Sequence, residues 1–185
     1  REETGVTEPL SAEEASEIQE LVESESWDLA IERCRLLLEG RSECTDLWHF
    51  LGISLRGAGQ NNEGLKALES ALTLNAEDGL LLYNYGTFLA QEGRVGEALA
   101  TYEKAIGFEP NYPALRCNYG ALLTEVGKTN QAIEQLDLAI RLKADYPEAY
   151  NNVGNALRDQ GRIDEALTMY REAVKLGDNY FTAHS

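Results

Sequence analysis

The sequence predicts an all-α chain built as a stack of antiparallel helix pairs, and three observations carry that reading. The tripeptide Asn-Tyr-Gly stands at Asn84 to Gly86 and again at Asn118 to Gly120, with Asn-Val-Gly at Asn152 to Gly154, at intervals of 34 residues. Written in rows of 34 from Ser11, Thr45, Gly79, Pro113 and Pro147, the last four rows keep glycine or alanine at columns eight, fifteen, twenty and twenty-seven. In each row an apolar-periodic segment of about 14 residues lies on either side of column fifteen, the pattern of two helices joined by a tight turn.

Residues 1–10, REETGVTEPL, have little periodicity and are expected to form a mobile tail. The first row, 11–44, opens on Ser11-Ala12-Glu13-Glu14, an S-x-x-E capping box that marks a helix start. It places Ile18, Glu25 and Leu37 where the other rows have small residues, so it reads as a degenerate pair that caps the stack. The second row, 45–78, has Gly52, Gly59, Gly64 and Ala71, with Trp48, Leu51 and Leu55 to fill the space between the helices. The third row, 79–112, repeats the scheme with Gly86, Gly93, Ala98 and Ala105 around Tyr102. The fourth, 113–146, has Gly120, Gly127, Ala132 and Ala139 around Leu136. The fifth, 147–180, has Gly154, Gly161, Ala166 and Ala173 around Tyr170, and 181–185 reads as the truncated start of a further row. Glycine at column fifteen permits the positive φ that ends a helix. A single helix pair cannot bury its apolar side alone, so successive pairs must stack.

Composition narrows the function. The chain has 185 residues and a net charge of −16, from 16 Lys+Arg against 32 Asp+Glu. That balance opposes the phosphate contacts on which nucleic-acid affinity depends. The acidic excess, densest over residues 1–44, is read as a solvated surface rather than a site for a basic partner. No apolar run approaches the ~20 residues that cross a bilayer, so no membrane insertion is expected. Three cysteines without a CxxC pair and only two histidines point to reduced thiols, a cytoplasmic setting, no metal site and no cofactor. The start at Arg1, with Met169 as the only methionine, is read as a processed or excised chain. Catalysis finds no constellation: Gly127-Lys128-Thr129 imitates the end of a phosphate loop, but Leu122 stands where that loop requires glycine.

The row LLYNYGTFLAQEGRVGEALATYEKAIGFEP, residues 81–110, resembles the tetratricopeptide repeat, with Tyr85, Gly86, Leu89, Ala98, Tyr102, Ala105 and Pro110 on that family's marks. The resemblance covers 45–180 well and 11–44 in outline. It implies a right-handed superhelical solenoid of about five repeats, whose first helices line a concave groove that binds an extended peptide or protein segment. Groove columns two, five, six, nine, twelve and thirteen then include His49, Arg56, Tyr83, Asn84, Thr87, Asn118, Asn151, Asn152, Asn155 and Arg158. Column six holds the recurrent asparagines Asn84, Asn118 and Asn152, a ladder similar to the repeat arm of O-linked N-acetylglucosamine transferases. An asparagine has both an acceptor and a donor, so the ladder is expected to grip peptide backbone. Two functions follow from the resemblance: a non-catalytic interaction scaffold for a protein partner, with self-association possible, or the substrate-docking arm of a larger enzyme such as an O-linked glycosyltransferase.

Overall fold

The computed structural model describes residues 9–183, with side chains through 177. It contains ten α-helices and, among the described residues, no strand: α1 (Ala12–Glu23), α2 (Trp27–Leu38), α3 (Thr45–Gly57), α4 (Asn61–Leu74), α5 (Gly79–Gln91), α6 (Val95–Phe108), α7 (Pro113–Glu125), α8 (Thr129–Leu142), α9 (Pro147–Asp159) and α10 (Ile163–Ala183). Each row of the repeat therefore supplies a first and a second helix. The chain divides into two compact units, Arg1–Leu89 and Ala90–Ser185.

In the N-terminal unit the capping box forms as the sequence predicts. Ser11 Oγ accepts from the Glu14 N–H at 3.2 Å, and Glu14 Oε2 accepts from the Ser11 N–H at 3.0 Å. Arg41 closes a fork on the same carboxylate at 2.7 and 2.9 Å, tying the end of the first row to its beginning. These hydrogen bonds, first that from Arg41, hold the Glu14 carboxyl down at about 2. Of the expected tail, residues 1–8 lie outside the described residues, whereas Leu10 packs against the cluster formed by Ile18, Ile31, Cys34, Leu47, Leu51 and Leu55. Burial pushes the Cys34 thiol up to about 12, which fits its role as a core residue.

The column-fifteen turns share one geometry. Glu25 takes a φ of 55°, beside 75° for Gly59 and 78° for Gly127, so the first row makes the same left-handed turn without the residue that makes it easily. In the turn after α1 the Ser26 N–H donates to the Leu21 carbonyl at 2.8 Å. In the turn after α3 the Gln60 N–H donates to the Leu55 carbonyl at the same distance, the 6→1 bond of a Schellman motif.

In the C-terminal unit the small columns set how closely the paired helices approach. A Cβ on Gly120 would lie 2.6 Å from Leu136 Cγ and 3.1 Å from the Ala132 carbonyl. Leu136, Ala132 and Ala139 are fully buried as a result, the leucine contributing roughly 1.5–3 kcal/mol. The same contact in the last row has a Gly154 Cβ 2.5 Å from the Tyr170 ring. Pro113 and Pro147 begin α7 and α9, where the missing N–H has no intrahelical acceptor to lose. At the far end α10 runs to Ala183, through the row boundary expected at residue 180. The next row's first position is Phe181, without the proline that starts α7 and α9, so the helix meets no such break. Residues 184–185 lie outside the described residues.

Candidate functional site

The groove columns lie on the first helix of each row, so α3 and α5 carry them in the N-terminal unit and α7 and α9 in the C-terminal unit. In the N-terminal unit the structure brings His49 and Asn84 together: Asn84 Nδ2 lies 2.8 Å from His49 Nε2. An amide nitrogen only donates, so Nε2 accepts and the ring proton sits on Nδ1. Burial holds the His49 pKa below its ordinary value against the opposing pull of Asp78 and Asp46, and the imidazole stays neutral. Its ring stacks on Phe50, which itself packs against the first-row cluster.

The other expected residues of this unit turn to local partners. The Arg56 guanidinium sits 5.8 Å from the centre of the Phe88 ring, a cation–π contact. Thr87 Oγ1 donates back to the carbonyl of Tyr83 on its own helix at 2.9 Å. Tyr83 itself is half-buried.

In the C-terminal unit Asn152 repeats the reach of Asn84. Its Nδ2 donates to the Cys117 sulfur at 3.4 Å, again from column six to column five of the preceding row. Cys117 is buried, and burial raises its thiol pKa, so the sulfur accepts as a neutral thiol. Asn155 is taken up within its own row, where Oδ1 accepts from the Tyr170 hydroxyl at 2.9 Å. Arg158 is exposed and pairs with the adjacent Asp159 at 3.0 Å.

Asn118, Asn151 and Asn152 line one open cavity of about 580 Å³, together with Cys117, Tyr146, Pro147, Glu148, Ala173 and Val174. Three of the ten expected residues thus share a concavity. Tyr146, Pro147, Ala173 and Val174 were not expected there, although the tyrosines at column thirty-four, Tyr112, Tyr146 and Tyr180, were a visible signal. A second cavity of about 570 Å³, in the N-terminal unit, is lined by residues of α2, α3 and α4 and contains none of the expected groove residues. Among the described residues no cluster of His, Cys, Asp and Glu could hold a metal ion, and no helix is long and apolar enough to cross a membrane.

Three family models, each described as the tetratricopeptide repeat, match residues 51–114, 89–155 and 147–180. No curated protein sequence matches. Among solved structures, a crystal structure of MamA superposes with a TM-score of 0.78 at 19% identity, covering 89% of this chain and 96% of that one. A MamA fragment from Desulfovibrio magneticus gives 0.78 at 14% identity, covering 92% and 98%. YrrB, described as a TPR protein with an unusual peptide-binding site, gives 0.73 at 20% identity, covering 92% and 88%. These likenesses extend over nearly the whole chain and show an all-α helical repeat fold of the solenoid class.

Proposed function

The chain belongs to the tetratricopeptide repeat family, and from that premise we propose that it is a non-catalytic interaction scaffold that holds an extended peptide or protein segment against its first helices. The observation that carries the reading is the open cavity of the C-terminal unit, lined by Asn118, Asn151 and Asn152 together with Ala173 and the exposed Val174. Amide groups on a wall of this kind suit a ligand with a donor and an acceptor in every residue, which is an extended backbone. A recess formed by regular helices also needs little rearrangement to admit it, which keeps the ordering cost of association low. YrrB, of the same fold, is described as peptide-binding, and that description supports the proposal without assigning a ligand.

The test is selection of peptides from a random display library on the intact chain, followed by affinity measurement on the Asn118→Ala, Asn151→Ala, Asn152→Ala triple variant. Each lost hydrogen bond is worth about 0.5–1.5 kcal/mol, so the triple variant should bind the selected peptides at least tenfold more weakly. Peptides that bind parent and variant equally would overturn the reading.

A further inference from the structure

We infer that the wall of the C-terminal unit selects extended segments bearing lysine or arginine. The inference rests on the peptide-binding reading above and adds the chemistry of the side chains the ligand must carry.

Four observations lead to it. The cavity lining contains one carboxylate, Glu148, and no cationic side chain. Glu148 is exposed and, among the described residues, makes no ion pair, so its charge is turned to solvent. The arginines of α7 and α9 are engaged, Arg158 with Asp159 at 3.0 Å and Arg116 with the Pro110 carbonyl at 2.7 Å and Gln135 at 2.6 Å, while Lys143 lies over the ring of Tyr146, itself a lining residue, at 5.0 Å. One of the amide hydrogens of Asn152 is committed to Cys117, which shifts the balance of the remaining hydrogen-bonding capacity toward oxygen acceptors. A lining that holds asparagine amides and one carboxylate, with no cationic side chain among its residues, is complementary to ammonium and guanidinium donors.

Charge at a distance acts in the same direction. The C-terminal unit, residues 90–185, holds 14 Asp+Glu against 10 Lys+Arg, a net of −4, which favours a cationic segment over an acidic one. The acidic first row, by contrast, belongs to the other unit and presents no such recess of asparagines.

The experiment uses three fluorescent dodecapeptides on the intact chain: alternating Lys and Ser, the same with Gln for Lys, and the same with Glu for Lys. Fluorescence anisotropy is read for the parent, for Glu148→Gln, and for Glu134→Gln, which removes an exposed acid of the second helix α8, outside the groove columns. The Lys peptide is expected to bind about tenfold tighter than the Gln peptide, with the Glu peptide weakest, and Glu148→Gln is expected to remove most of that preference. Glu134→Gln should leave it in place. Equal binding of the three peptides overturns the charge inference and leaves the groove reading standing. A preference reduced equally by Glu148→Gln and Glu134→Gln also overturns it, since the attraction would then be diffuse. If no peptide of the set binds, the charge inference falls, and the groove reading is decided separately by the display selection.

Discussion

Asn84 donates from Nδ2 to His49 Nε2 across 2.8 Å, and the two residues stand 35 positions apart on successive first helices. Asn152 and Cys117 stand in the same relation, 35 positions apart at 3.4 Å. At Asn84 and Asn152 the column-six amide is therefore a tie between neighbouring first helices. Replacing Asn84 or Asn152 by alanine should lower stability by about 0.5–1.5 kcal/mol each. Urea denaturation of each single variant measures this, and an unchanged midpoint would mean that the tie contributes nothing.

The close approach at column eight gives a contrasting pair. Gly120→Leu forces methylenes against Leu136 and the Ala132 carbonyl and should cost ~1–3 kcal/mol or more. Gly96 is open, since a methyl group there would meet nothing within 4 Å. Gly96→Ala should be neutral or stabilise by about 0.4–1 kcal/mol, through the lower entropy of the unfolded chain. Denaturation midpoints that move in the same direction for both variants would contradict the packing described for the paired helices.

Glu25 offers a gain. Its φ of 55° is a conformation that costs a side-chain-bearing residue roughly 1–2 kcal/mol. Glu25→Gly should raise the thermal midpoint of the N-terminal unit, offset in part by the greater freedom of glycine in the unfolded chain. A lower midpoint would show that the Glu25 side chain does something the turn geometry does not reveal.

Acid should weaken the first row through Glu14. Its folded pKa lies near 2, below the ordinary 4.5, so its contribution to stability is complete above pH 4.5 and is lost as the pH falls toward 2. A pH series of thermal melts on the parent and on Glu14→Gln should show the two curves separated at neutral pH and converging at about pH 2. Parallel curves across that window would exclude the Arg41 and Ser11 bonds as the source.

The period of the fold was legible because glycine and alanine are the residues that a tight turn and a close helix contact require, and Gly59, Gly93, Gly127 and Gly161 all take the positive φ expected of them. The tie from column six was not legible, since its acceptor is an imidazole in one row and a thiol in another, and nothing in column five repeats. Asn155 illustrates the same limit: it lies in a groove column, yet a tyrosine hydroxyl fifteen residues later claims its oxygen. Leu10 lacked a periodic neighbour to mark it as core, and it is held by residues from α1, α2 and α3 that only the folded chain assembles.

That one amide satisfies two unlike acceptors bears on how such an array can lengthen by copying itself. A copied row that carries asparagine at column six, as at Asn84 and Asn152, needs only some acceptor, whether ring nitrogen or sulfur, at column five of the row before it. A joint of that kind is thus indifferent to which row supplied the acceptor. Column five is then at liberty to drift from row to row while the seam is kept.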